Sequence, residues 1–373
     1  MTVPEAHSTI RQGVTTEVIG NCGFSPAPAD SRTIELLRKY LAPTLGTSTA
    51  PWTWSDFPEF LSCLESAKPS VNFALLVGHG ALRISAMGFE RHAPSQAQMQ
   101  VMLTALEEAM SAGAVGMSIG LIYAPACYAN QEELEQLCGV VARFGGILAV
   151  HMRNESDMLL ESVKENIVLA RKTGVRLHIS HLKASGKANW DQMEEVLALI
   201  EQSRSQGLQV TCDQYPYVAG STTINVLLPQ WSLEGGVLEM LARLKQHGMR
   251  DRIKRDFETG IAGWDCLVRA NGWANIILSW VGEESLKHLE GKTIEEIASS
   301  LGNDPAEALF DLILDLRGDA SIVVFQQSEE NVKNAMQKGF VVIGSDGLHA
   351  GAKPHPRLYG TFPRVLGRYV REL

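Results

Sequence analysis

The sequence predicts an α/β chain whose strands form a (β/α)8 barrel, and three observations lead there. Short apolar runs rich in β-branched residues recur at 17–19, 73–77, 115–119, 147–150, 175–179, 208–211 and 341–343. Continuous runs of this kind are what strands covered on both faces require. Amphipathic helical segments alternate with them, which implies a parallel sheet. Finally, cysteine, histidine and aspartate stand at the ends of the runs, and barrel enzymes carry their chemistry on that face.

Taken in order, the run 17–19 leads into Gly20-Asn21-Cys22-Gly23, which puts Cys22 at a strand end. The run 73–77 leads into the tight turn Gly78-His79-Gly80, where His79 could line a site. The segment 95–112 reads as a helix with Ser95 as its N-cap. A second helix at 131–144 precedes the run that closes on His151. The segment 155–173 is the third helix, stopped by Gly174. The next run leads to His181, and a helix at 191–206 has Asp191 as N-cap and Gly207 as its stop. The run 208–211 leads to Asp213, and 341–343 leads to Asp346 in Ile-Gly-Ser-Asp-Gly. Residues 225–320 break this rhythm with Gly235-Gly236 and charged helical pieces. They read as an inserted subdomain or lid, between a first barrel part at 1–224 and a closing part at 321–373.

Bulk properties narrow the function. A chain of 373 residues with 45% apolar content can bury one large core. The net charge of −9 is spread without a basic block, which argues against nucleic acid as a partner. Six cysteines (22, 63, 127, 138, 212 and 266) show no CxxC pair, the pattern of reduced thiols in a cytoplasmic protein. The first residues lack the charged and apolar regions of a signal peptide. No apolar run reaches the roughly 18 residues of a membrane span. A small molecule is the expected partner, and the oligomeric state is open.

One thiolate and two neutral imidazoles at matched strand ends suit a borderline ion such as Zn²⁺. Cys22, His151 and His181 are therefore the candidate ligands, with one position left for water. Singly, each is equally readable as a core residue; the set favours a metal centre. A carboxylate at Asp346 could take a proton from such a water and deliver it to a leaving amine, although Ser-Asp-Gly is also a good turn. Asp213 reads as a structural hydrogen-bonder. Glu155 could orient the His151 ring, and a glutamate opening a helix is the commoner explanation. Lys183 and Arg357 fall in loops of the same face and suggest an anionic group on the substrate, most simply a carboxylate. Tyr215 and Ser221 could add neutral hydrogen bonds. His7, His92, His247 and His288 read as surface residues.

Several stretches are specific enough to mark a family. They are RQGVTTEVIGNCGFSPAP at 11–28, LVGHGALR at 76–83, GLIYAPACYA at 120–129, HMRNES at 151–156 and HISHLKASG at 178–186. DQYPYVAGST at 213–222, IGSDG at 343–347 and HPRLYGTFPRVLGRYVRE at 355–372 complete the set. Through these the chain resembles, end to end, the N-acyl-D-amino-acid deacylases (D-aminoacylases) of the amidohydrolase superfamily. The resemblance implies a metal-dependent-hydrolase (TIM-like) barrel that cleaves N-acyl-D-amino acids to a D-amino acid and a carboxylate. It implies a tight zinc on Cys22, His151 and His181, with Asp346 as general base and acid. Lys183, Tyr215, Ser221 and Arg357 become candidates for holding the substrate's carboxylate.

The family also begins with a small β-sandwich and a first barrel strand ending in His-x-His. No His-x-His precedes Cys22 here, and the closing sandwich segment is missing beyond Leu373. The expectation is a barrel lacking its first strand, most of the accessory sandwich and the second, weaker metal position. Three readings stay open beside deacylation: another amidohydrolase activity on cyclic amides or dipeptides, an inactive zinc-binding remnant, and a module that only binds an anionic ligand.

Overall fold

The computed structural model describes residues 4–45, 51–348 and 354–372. Among these residues ten strands are formed: β1 (Thr16–Ile19), β2 (Asn72–Gly78), β3 (Gly116–Gly120), β4 (Ile147–His151), β5 (Arg176–Ile179), β6 (Val210–Gln214), β7 (Ala219–Thr223), β8 (Ile276–Val281), β9 (Ala320–Phe325) and β10 (Val341–Ile343). Seven of them make one sheet in the order β1-β2-β3-β4-β5-β6-β10, every pair parallel. All seven apolar runs of the sequence lie in or against it, so the α/β class and the parallel sheet are as expected.

Side-chain alternation along each strand separates two environments. On β4, Leu148 and Val150 pack outward into the main apolar core beneath the helices, whereas Ile147, Ala149 and His151 face an inner cavity. The sheet is a seven-stranded arc rather than a closed barrel. Among the described residues β1 and β10 do not pair, and Val18 and Val342 on these two strands are 49% and 55% exposed.

Helix boundaries follow local chemistry. The helix Gln96–Ser111 starts at a full capping box, in which Ser95 accepts from the Gln98 amide and the Gln98 side chain returns the bond. The helix Leu159–Thr173 ends on Gly174 in the left-handed region, φ 74°. It starts at Leu159 and not at 155, because the residues before it are committed elsewhere. Asn154 Oδ1 accepts from the amides of Ser156 and Met158, and the Glu155 amide donates to Asp265. Asp191 stands before the helix Gln192–Ser205, but its own backbone is helical and its side chain makes no cap bond. That expectation of a cap is corrected.

Between β6 and β10 the chain builds a three-stranded antiparallel sheet, β7-β9-β8. The helices Val237–Leu244, His247–Thr259, Ile294–Leu301 and Pro305–Asp315 accompany it around a second apolar core that includes Met240, Ile253, Phe310 and Ile322. Cys22, Ile122 and Tyr123, from the loops that follow β1 and β3, belong to the same cluster, so this layer packs against the strand ends that carry the candidate site. Among the described residues no helix is long and apolar enough to cross a membrane.

Candidate metal centre and its pocket

Cys22 is presented by a turn that only small residues permit. Gly20, at φ 85°, packs against the Leu76 carbonyl oxygen so closely that a Cβ would collide with it. Ser118 on β3 then clamps the turn from both sides: its hydroxyl accepts from the Gly23 amide at 2.9 Å and donates to the Gly20 carbonyl. His151 is the last residue of β4, and His181 follows β5. Their rings meet edge to face, 4.4 Å between centroids, and Cys22 Sγ lies 3.4 Å from His181 Nε2. The Cys22 sulfur and one ring nitrogen from each histidine fall within 4.8 Å of one another, and all three side chains are buried.

Backbone strain collects here as well. Among the described residues six non-glycines have positive φ, and Cys22 (56°), His181 (38°) and Asp346 (46°) are three of them. Conformations of this kind cost on the order of 1–3 kcal/mol each and persist only where the surroundings enforce them. For His181 the enforcing group is Asp213, whose Oδ1 accepts the His181 amide at 2.7 Å while Oδ2 meets His178 Nε2 at 2.8 Å. Asp213 thus occupies the structural position expected of it.

The donor set fits a soft-to-borderline divalent ion. Both ring nitrogens of His151 are buried without a hydrogen-bond partner, and burial holds its imidazole well on the neutral side. A buried imidazole with two orphaned nitrogens is unfavourable unless something binds there. Burial, helped by the charges of Asp346 and Glu155, pushes the Cys22 thiol up. A coordinated cation reverses that preference, since a ligating thiol is deprotonated.

Glu155 does more than open a helix. It is buried, with Oε1 at 3.1 Å from His181 Nδ1 and Oε2 at 2.5 Å from Lys183 Nζ. Its partner is the His181 ring rather than that of His151, which is 3.8 Å away. Lys183 Nζ lies 2.9 Å from the same Nδ1, so Glu155 and Lys183 together anchor that edge of the ring and leave Nε2 toward Cys22. Burial alone would raise this carboxyl, but Lys183, His151 and His181 outweigh it and hold it well below the usual range. Lys183 also donates to the His181 carbonyl at 2.8 Å.

The opposite wall is built around Arg357, the first residue of the helix Arg357–Arg364 and not a loop residue. Its guanidinium is buried over the Tyr215 ring, 4.7 Å to the centroid. Nη2 donates to Asp346 Oδ2 at 2.8 Å and to the Ser221 carbonyl at 3.0 Å, while Nε and Nη1 have no partner. Cys22, His151, His181, Lys183, Tyr215, Ser221, Asp346 and Arg357 all line one cavity of about 570 Å³. His79 is elsewhere. It is buried against Glu133, 2.7 Å away, and Arg83 binds the same carboxylate, a structural cluster outside this cavity.

Sequence reasoning missed Asp265. Its Oδ2 accepts the Glu155 amide at 2.9 Å and its Oδ1 the Ser156 hydroxyl at 2.5 Å, tying the layer between β6 and β10 to the site. Burial raises its carboxyl to about 6. An aspartate in Gly-Trp-Asp-Cys, far along the chain, carries no local signal of that role. His178, inside the HISHLKASG stretch, holds the other oxygen of the Asp213 carboxylate.

The sequence pattern described as the Amidohydrolase family matches residues 1–372. N-acyl-D-glutamate deacylase from Alcaligenes xylosoxydans xylosoxydans is 34% identical over 97% of this chain and 63% of its own length. D-aminoacylase from the same organism is 33% identical over 98% of this chain and 64% of its own. Among solved structures, N-acyl-D-glutamate deacylase from Bordetella bronchiseptica, complexed with zinc and a phosphonate inhibitor, superposes with a TM-score of 0.78 at 33% identity. That match covers 99% of this chain and 66% of the other. A crystal structure of D-aminoacylase gives 0.76 at 32% identity, with the same coverage. The chain therefore spans just under two thirds of the length of these relatives.

Proposed function

The chain belongs to the amidohydrolase family, and from that premise we propose that it is a zinc-dependent hydrolase of N-acyl-D-amino acids, releasing a D-amino acid and a carboxylate. The observation that carries the reading is the buried convergence of Cys22, His151 and His181 in the same cavity as Asp346 and a half-satisfied arginine. Zinc held by these three residues would act as a Lewis acid toward the amide carbonyl and lower the pKa of water toward neutrality. Asp346 accepts the proton of the attacking water and returns it to the departing amine nitrogen. Arg357 keeps the Asp346 carboxylate oriented through Nη2, and its guanidinium supplies the positive charge that draws the substrate carboxylate. Lys183, Tyr215 and Ser221 complete that anion subsite and fix the direction of attack. Glu155 and Asp213 hold His181 in place. The layer at 225–320 is read as an inserted subdomain that roofs the pocket. The cytoplasm is the compartment that suits six unpaired cysteines.

The purified chain is expected to carry stoichiometric zinc by elemental analysis and to hydrolyse N-acetyl-D-amino acids but not their L-enantiomers. His151→Ala should lose both the metal and the activity. A metal-free wild-type chain that binds no added zinc would sink this reading.

Arg357 also makes a separable prediction. Lysine cannot reproduce a guanidinium that bonds Asp346, Ser221 and a carboxylate at once. Arg357→Lys is expected to raise KM roughly 10- to 100-fold, the worth of one or two charge-assisted hydrogen bonds, with zinc content unchanged. An unchanged KM would remove Arg357 from the anion subsite.

A further inference from the structure

Beside the site lies a second cavity of about 330 Å³ that the reaction above leaves without a use. It is walled by Leu233, Val237 and Met240, and it shares Phe24, Ile122 and Tyr123 with the larger pocket. A row of rings runs between it and the candidate ligands. Tyr123 is 4.9 Å from His151, Phe24 is 4.6 Å from Tyr123, and Tyr40 is 4.7 Å from Phe24, centroid to centroid.

Strand β7 sets the direction. The Ser221 carbonyl holds Arg357, the Thr222 hydroxyl meets the Tyr123 hydroxyl at 2.9 Å, and Thr223 lines the second cavity. The cavity therefore lies beyond Tyr123 as seen from Arg357. Its polar lining gathers at the turn Arg317-Gly318-Asp319, with Asn225 bonded to the Gly318 carbonyl at 3.0 Å. Lys39 and Arg317 are exposed and mark the mouth. The wall shared with the larger pocket is aromatic and aliphatic.

A substrate anchored by its carboxylate at Arg357, with its amide carbonyl at Cys22, His151 and His181, extends its acyl group away from Arg357. We propose that the second cavity receives the aliphatic tail of that acyl group, so that the preferred substrates are N-acyl amino acids with acyl chains longer than acetyl. This rests on the deacylase reading given above.

The test compares N-acetyl-, N-butanoyl-, N-hexanoyl- and N-octanoyl-D-leucine on the zinc-loaded chain. Binding of octanoate and of acetate is measured alongside by calorimetry. Each methylene buried should raise kcat/KM by up to about fourfold until the cavity is full, and octanoate should bind where acetate does not. Val237→Trp, half-buried on the cavity wall, should abolish the gain and leave N-acetyl turnover unchanged. Leu241→Ala, a milder change in the same wall, should reduce the gain if the tryptophan variant fails to fold. A flat chain-length series with good N-acetyl turnover overturns the acyl cavity and leaves deacylation standing. Octanoate binding that Val237→Trp abolishes, without hydrolysis of any substrate, supports the cavity and overturns the deacylase reading. Octanoate that binds no better than acetate overturns the cavity whatever the hydrolysis result.

Discussion

Asp346→Asn is expected to lower kcat by roughly 10²- to 10⁴-fold, the range of a positioned general acid–base, while zinc content stays stoichiometric. The substitution is chosen to isolate the proton. Asparagine tolerates the left-handed backbone at φ 46°, has nearly the same shape, and leaves an oxygen for the Arg357 Nη2 that now binds Oδ2 at 2.8 Å. What it lacks is a carboxylate able to take a proton and give it back. KM should change little, because the Arg357 guanidinium keeps its charge and still has the Ser221 carbonyl and the Tyr215 ring to hold it. Asp346→Ala would be a poorer probe, since it removes an ionic partner of a buried arginine as well. Steady-state kinetics on N-acetyl-D-amino acids decide the matter, and an Asp346→Asn chain turning over at the wild-type rate would refute the assignment.

The sheet was legible in the sequence because buried parallel strands leave a pattern that survives without context: 73–77 and 147–150 are uniformly apolar, and glycine ends the helices that precede the next strands. The candidate ligands were legible for a related reason. A strand end fixes the height of a side chain on the barrel face, so Cys22, His151 and His181 could be brought together from their place in the repeat alone. What failed to show was anything decided by a contact between distant segments. Glu155 looks like a helix-opening acid until Asp265 captures its amide, delays the helix to Leu159 and turns the carboxylate inward to His181 and Lys183. His79 looked like a pocket residue because a glycine pair frames it, and Glu133 draws it into a helix-packing cluster instead. Arg357 was read as a positive group without geometry. Only the fold shows that three elements, carrying Ser221, Asp346 and Tyr215, meet around one guanidinium.

The largest stability effect should come from Glu155. Removing one partner of a buried ion pair costs about 3–5 kcal/mol, because the survivor keeps its charge in a low-dielectric surrounding. In Glu155→Ala that survivor is Lys183, buried and left with the His181 carbonyl at 2.8 Å and the ring Nδ1 at 2.9 Å, neither of which carries a negative charge. A lower urea midpoint is expected, together with zinc affinity down by about 10- to 100-fold as the His181 ring loses the carboxylate that orients it. The double change Glu155→Ala with Lys183→Met separates the two effects. Taking away both charges relieves the electrostatic penalty, so most of the lost stability should return. Zinc affinity should not, because the His181 ring still lacks that carboxylate. Were the double variant as unstable as the single one, Glu155 would be stabilising the fold by packing alone. The reading of a carboxylate that bridges a metal ligand and a substrate-side lysine would then fail at its centre.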